Sequence, residues 1–174
     1  MKVFLLLISV LQMAAADPRS LGIFLHFAEA PASSALEEMK AEVANRLPAG
    51  QLDLRWRALE ENRGTESFDQ LVVVSFHGRC VPRPAASSLN DRLPFPQTVT
   101  LASTPVRDGR VVPYSQVDCD QIRKSLGDKV LSLGRALGVV VAHELQHILH
   151  NSVKHAKVGW MRPQLDIRDL DQHR

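Results

Sequence analysis

Apolar and polar positions repeat with two different periods along the chain, and these periods predict the order of its elements. A buried first strand is predicted over Leu21–Phe27, followed by a helix over 33–47 with apolar residues at helical spacing. Residues 52–57 alternate as in a half-exposed strand, whereas residues 71–76 are apolar on both faces, as in the central strand of a sheet. This order predicts a single α/β domain of the α+β type.

The second half of the chain predicts further strands and one long helix. A fourth strand over 98–103 and a turn at Asp108-Gly109 precede a strand over 110–114. A helix is then expected to begin at Asp118 or Asp120, and its residues 130–142 are almost wholly apolar, as in a buried helix. We therefore expect a twisted mixed sheet of four to five strands packed against two long helices.

The second long helix carries an HExxH motif formed by His143, Glu144 and His147. Histidines four residues apart lie one turn above the other on one helix face, so both imidazoles can reach a single metal ion. Zinc lowers the pKa of its bound water to about 7, and a neighbouring carboxylate can take the proton as water attacks a carbonyl. Burying these polar residues is unfavourable unless they are paired or bind a metal. The motif predicts metal-assisted hydrolysis, most often of a peptide bond, with Glu144 as general base.

A third ligand is needed, because catalytic zinc usually has three protein ligands and an open position for water. His150 shares the face of His143, but at 1.5 Å per residue it lies ~10 Å further along the axis. The turn residues Asn151-Ser152 predict the end of the helix, after which the chain can turn back and present His155. His155 is therefore the predicted third ligand, with Asp166 and His150 as alternatives.

The segment after His155 contains Gly159-Trp160-Met161, in which the glycine permits a sharp turn. The run from His143 to Met161 resembles the site of the metzincin metallopeptidases, where an HExxH helix, a third histidine and a methionine on a tight turn follow one another. This chain has His150 and Val153 where that pattern has glycine and the third histidine. The chain reversal is therefore expected to be two residues longer and to form without glycine.

The longer spacing resembles that of a group of short secreted bacterial proteins classed with the metzincin-like zinc peptidases. The resemblance includes the segments 77–80 and 112–120 and covers most of the chain beyond about Gln70. It also implies that an edge strand above the zinc holds an extended peptide, for which Val99–Ser103 is the candidate. Carried over by position, it implies His143, His147 and His155 as zinc ligands, Glu144 as general base and Met161 as the methionine of the turn.

The first residues, 1–16, have the pattern of a signal peptide. Lys2 gives a positive start, Val3–Val10 is a compact apolar run, and three alanines at 14–16 fit a cleavage site. The apolar run is too short for a stable membrane anchor. We therefore expect residues 17–174 to form one exported domain, periplasmic or extracellular, without a stable anchor after cleavage.

Two cysteines, Cys80 and Cys119, predict one disulfide in an exported protein, with thiolate ligation of zinc as the alternative. The net charge of +2 over 174 residues and the lack of a basic run with aromatics argue against nucleic-acid or membrane-surface binding. The sequence thus predicts a monomeric, secreted zinc endopeptidase with one Zn²⁺ per chain and a peptide or protein substrate. The alternative is a non-catalytic module whose zinc has a structural role.

Overall fold

A computed structural model describes residues 17–82, 100–126 and 132–165. The predicted signal peptide, the alternative ligand Asp166 and residues 98–99 of the predicted fourth strand, which include Val99 of the candidate edge strand, lie outside the described residues. In the first half, the predicted strand, helix, strand and central strand are all confirmed. They are β1 (Arg19–Phe27), α1 (Ser33–Arg46), β2 (Leu52–Ala58) and β3 (Gln70–His77).

The described residues of the second half contain four short strands and two α-helices. The turn residues Asp108 and Gly109 join β5 to β6 with φ of 52° and 73°, as predicted for a two-residue hairpin. Pro113 lies between β6 and β7, so the predicted strand over 110–114 is divided in two. The elements are β4 (Ala102–Ser103), β5 (Val106–Arg107), β6 (Arg110–Val111), β7 (Tyr114–Asp118), α2 (Cys119–Leu126) and α3 (Leu133–Leu149).

In the part of the chain that the structure describes, the main sheet has five strands in the order β2-β1-β3-β7-β4. Its first four strands are parallel neighbours, and β4 is antiparallel to β7, which confirms a mixed sheet in an α+β domain. The candidate edge strand lies at the edge of this sheet, as expected, but only Ala102 and Ser103 are in strand conformation among its described residues. Leu101 still contributes its carbonyl, which accepts from the Asp118 amide at 2.9 Å.

The prediction that one continuous helix runs from Asp118 or Asp120 through the motif is wrong. Helix α2 begins after Asp118, whose carboxylate accepts from the Gln121 amide at 2.9 Å, and it is described as far as Leu126. Ser132 then has extended backbone and caps a separate helix, because its hydroxyl accepts from the Arg135 amide at 3.2 Å. The HExxH motif therefore lies on α3, the second of the two long helices, as predicted, and the short helix α2 is an additional element.

Helices α1 and α3 pack directly against each other, and α3 also contacts β3, β7 and β4. Two glycines of α3 allow the close approach. A Cβ added at Gly134 would lie 2.6 Å from the Ala35 carbonyl oxygen, and one at Gly138 would lie 2.8 Å from that of Met39. The apolar side chains of this interface are almost completely buried, so the position of α3 is set by packing against α1 and the sheet.

The predicted disulfide is confirmed. Cys80, just after β3, is bonded to Cys119, the first residue of α2, and both are buried. The bond therefore excludes the alternative of thiolate ligation by these two residues. Among the described residues, no helix is long and apolar enough to cross a membrane.

Candidate metal centre

Three histidines converge at the end of α3. His143 and His147 lie on the same face of the helix, with their Nε2 atoms 3.0 Å apart, and the Nε2 atom of His155 lies 3.2 Å from that of His147. One ligand atom from each of the three residues lies within 4.8 Å of the others. The two helical histidines are buried, whereas His155 is exposed, so the group opens to solvent on one side.

Backbone carbonyls determine which nitrogen of each helical histidine carries the proton. Nδ1 of His143 is 2.8 Å from the Trp160 carbonyl oxygen, and Nδ1 of His147 is 2.7 Å from that of Ser152. A carbonyl oxygen only accepts hydrogen bonds, so both Nδ1 atoms are the donors. In the neutral rings, both Nε2 atoms therefore present lone pairs toward the centre of the group.

Two facing lone pairs repel each other unless a cation lies between them, and this donor set fits a metal ion. Imidazole nitrogens about 2.0–2.1 Å from a tetrahedral zinc lie ~3.3 Å from one another, close to the two separations given above. Hydrogen bonding of Nδ1 to a carbonyl is also the usual way in which a metal-binding histidine is oriented. His143, His147 and His155 could thus hold a metal ion, although imidazole also suits copper, nickel and iron.

The turn after α3 brings His155 to the other two histidines. Asn151 has a φ of 46°, its amide donates to the Ile148 carbonyl, and the Ser152 amide donates to the His147 carbonyl. This pair of bonds is the Schellman arrangement, in which asparagine takes the left-handed position that glycine usually occupies. The prediction of a reversal at Asn151-Ser152 without glycine is therefore confirmed.

The segment after His155 forms a tight turn under the histidines. Residues Gly159–Met161 form one turn of 3-10 helix, entered at a Gly159 φ of 76°, and the Ala156 amide donates to the Met161 carbonyl at 2.8 Å. The turn presents the Trp160 carbonyl to His143. Met161 thus lies on a tight turn adjoining the group of histidines and is partly buried.

The carboxylate of Glu144 is buried, with only 8% of the residue exposed. Its Oε2 atom accepts from the Thr104 hydroxyl at 2.6 Å, and the Thr104 hydroxyl in turn contacts that of Ser115. Burial raises the pKa of Glu144, and the hydrogen bond from Thr104 acts in the opposite direction. Burial also lowers the pKa of His143 and of His155, which favours the neutral imidazoles that a metal requires.

The structure places His150 apart from this group. It is the residue at the C-terminal cap of α3, where its amide donates to the Gln146 and Ile148 carbonyls. Among the described residues, the group that could hold a metal contains the three histidines His143, His147 and His155 and no other ligand.

Arg46, Thr104 and Ser115 contact this site but were not predicted from the sequence. Arg46 is only 3% exposed, pairs with Glu42 at 2.7 Å, and has its guanidinium 5.5 Å from the centre of the Trp160 ring. The sequence does contain a signal for Arg46, because this charged residue lies three residues after Val43 on the apolar face of α1. Thr104 and Ser115 are distant from Glu144 along the chain, and no spacing rule connects them to it.

Comparisons with known proteins give this chain no family. It matches no protein-family model, and no curated protein is significantly similar to it in sequence. Its function is therefore argued from the metal group and the residues around it.

Proposed function

We propose that this protein is an exported zinc endopeptidase of the metzincin type. One observation carries the proposal: three imidazoles converge at a site beside the buried carboxylate of Glu144, which adjoins His143 on the same helix. Three protein ligands leave a zinc ion one open position, as in catalytic rather than structural sites. The Cys80–Cys119 disulfide and the leader-like residues 1–16 support export.

The residues of the chain divide the work of hydrolysis between them. Zinc bound by the three histidines would act as a Lewis acid toward the scissile carbonyl and lower the pKa of water. Glu144 would take a proton from the attacking water and deliver it to the leaving amine as the C–N bond breaks. The edge strand β4 offers backbone groups with which an extended peptide can pair.

The turn at Gly159–Met161 is consistent with the metzincin resemblance, which rests in part on this segment. In this chain the turn has a direct role, because its Trp160 carbonyl fixes the tautomer of His143. The buried pair of Arg46 and Glu42 lies behind it, with the Arg46 guanidinium over the Trp160 ring. The turn is thereby linked to α1, which would keep the carbonyl in place when the ligands bind or release metal.

The alternative function is a non-catalytic module with a structural zinc. Such a site needs four protein ligands, and the described residues supply three in one group. The exposure of His155 also argues for an open position. The alternative would be favoured if coordination measurements on the metal-loaded protein found four protein ligands and no exchangeable water.

The decisive experiment is Glu144→Gln, which keeps the shape of the side chain and removes the base. The full chain is produced in an exporting host, where a mature N-terminus at Asp17 would support export. We expect the variant to bind one zinc per chain as the wild type does, and to hydrolyse a quenched fluorescent peptide library about 10²–10⁴-fold more slowly. Glu29→Gln, at an exposed position, is the matched control. Unchanged hydrolysis by Glu144→Gln would rule out this mechanism.

A further inference from the structure

A chain of three polar side chains connects the sheet to the HExxH helix. Ser115 lies in β7 and is completely buried, Thr104 follows the edge strand β4, and Glu144 lies in α3. The Thr104 hydroxyl is 2.6 Å from Glu144 Oε2 and in contact with the Ser115 hydroxyl. A chain of hydrogen bonds therefore runs from β7 through the residue after β4 and ends at one oxygen of this carboxylate.

The chemistry of the groups fixes the direction of the two hydrogen bonds. An ionised carboxylate only accepts, so the single hydroxyl proton of Thr104 is donated to Glu144. The contact between the two hydroxyls then needs a proton from the other side, which makes Ser115 the donor to Thr104. Both hydroxyl protons thus point along the chain toward the carboxylate. The hydrogen bond to the charged carboxylate is stronger than one between neutral groups.

The arrangement restricts how Glu144 can move. A free glutamate side chain has three rotatable bonds, and a hydrogen bond to Oε2 removes much of this freedom while leaving Oε1 for a proton from water. Thr104 is itself stiff, because threonine is β-branched. Ser115 is held by the sheet, where it lies opposite Val74 of β3. The carboxylate is therefore held through two short links to a rigid sheet.

We infer that Thr104, supported by Ser115, is a positioning residue that holds the Glu144 carboxylate in the orientation needed for general-base catalysis at the metal group. This inference rests on the proposed function and adds two residues to its machinery. Thr104 also follows directly after β4, the strand on which a peptide would pair. The same short segment would then orient both the substrate backbone and the base.

A merely structural role would have different consequences. If Thr104 and Ser115 only satisfied each other's hydrogen-bonding groups, removal of the Thr104 hydroxyl would lower the free energy of unfolding. Hydrolysis and ligand binding by the folded protein would then be unchanged. If Thr104 positions Glu144, removal of its hydroxyl must change hydrolysis and ligand binding by the folded protein. The test therefore uses the folded, metal-loaded full chain and normalises every measurement to its content of bound metal.

The variants are Thr104→Val, which removes the hydroxyl at nearly constant shape, and Thr104→Ser, which restores it. Thr65→Val makes the same exchange at an exposed position and is the control. For Thr104→Val we expect kcat to fall about 10- to 100-fold with KM nearly unchanged, since small misplacements of a catalytic group have effects of this size. Thr104→Ser should recover most of the loss, and the zinc affinity should be the same in all variants.

A second readout does not depend on hydrolysis. Acetohydroxamate chelates a metal through two oxygens and shares its proton with a neighbouring carboxylate, so its affinity reports the position of Glu144. With cobalt in place of zinc, binding is followed in the visible spectrum. We expect both Glu144→Gln and Thr104→Val to weaken acetohydroxamate by about tenfold, in line with one charge-assisted hydrogen bond.

The outcomes separate the two ideas. If Glu144→Gln weakens acetohydroxamate or stops hydrolysis but Thr104→Val behaves as the wild type, the positioning role is wrong and the proposed function stands. If Glu144→Gln changes neither measurement, the proposed function is wrong and the inference falls with it. If Thr104→Ser fails to recover what Thr104→Val loses, the hydroxyl is not the group responsible, and the inference is also wrong.

Discussion

The two halves of α3 are held in place by different means. The first half, residues 133–142, is apolar and packs on α1, with Gly134 and Gly138 bringing the two backbones together. The second half carries His143, Glu144 and His147, which are equally buried but polar. Each of these three side chains has a partner outside the helix, contributed by the 3-10 turn, the Thr104 segment or the reversal after the helix.

The difference shows how one helix can provide both a rigid support and a metal group. Packing fixes the axis and rotation of α3, because the glycine contacts tolerate little displacement. Hydrogen bonds to carbonyls then fix the rings of the histidines, which packing alone leaves free to turn. Changes in the first half should therefore affect stability, and changes in the second half should affect metal binding.

The largest effect is expected from His155→Ala, which removes the one candidate metal ligand that lies outside α3 among the described residues. Apparent binding free energies of about 10–16 kcal/mol are shared by four ligands at structural zinc sites, so one ligand corresponds to roughly a hundredfold or more in affinity. We expect a loss of this size, measured by competition with a chromophoric chelator. The stability of the metal-free protein should hardly change, because His155 is exposed.

His150→Ala is the matched control for this variant. Both histidines lie near the end of α3, but His150 is at the helix cap and outside the metal group. Its replacement should leave zinc affinity unchanged. Equal losses in the two variants, or a loss in His150→Ala alone, would show that the third ligand is not His155.

A smaller effect, confined to stability, is expected from Gly138→Ala in the first half of the helix. The added methyl group would lie 2.5 Å from Glu42 Cβ and 2.8 Å from the Met39 carbonyl oxygen. Overpacking of this kind typically lowers the free energy of unfolding by about 1–3 kcal/mol. Urea denaturation of the metal-free protein measures the change, and the zinc affinity of the folded protein should stay within about twofold.

Ala41→Val is the control for Gly138→Ala. It also adds bulk to the α1–α3 pair, but on the exposed face of α1. Its effect should be limited to helix propensity, about 0.5 kcal/mol or less. If Gly138→Ala is no less stable than this control, the close approach of α1 and α3 does not fix the position of α3.

The sequence predicts the two halves of α3 to different extents. His143 and His147 need only helical spacing, and Asn151-Ser152 need only local turn preferences, so both were predictable. The start of α3 was not, because the apolar run continues across Ser132 and gives no sign of a break there. The cap depends on one local hydrogen bond, which a periodic pattern does not reveal.

Contacts between distant segments were the other part that could not be predicted. The Trp160 carbonyl that holds His143 is a backbone group, and every residue has one. Thr104 is 40 residues from Glu144. Threonine is common at protein surfaces, so its presence in the sequence does not indicate that it contacts a buried residue. Arg46 is different, since a charge on an apolar helix face indicates a buried ion pair, and the structure pairs it with Glu42.

The smallest effect is expected at Asn151, which joins the helix to the third histidine. Its φ of 46° is unfavourable for alanine, and its side-chain oxygen accepts from the Val111 amide at 2.8 Å. Asn151→Ala should lower the free energy of unfolding by about 1–2 kcal/mol, and Asn151→Gly, which tolerates this φ, should recover part of the loss. Because the reversal also positions the Ser152 carbonyl, Asn151→Ala should weaken zinc binding several-fold as well. A variant that loses stability but binds zinc as tightly as the wild type would show that the end of α3 is held independently of its ligands.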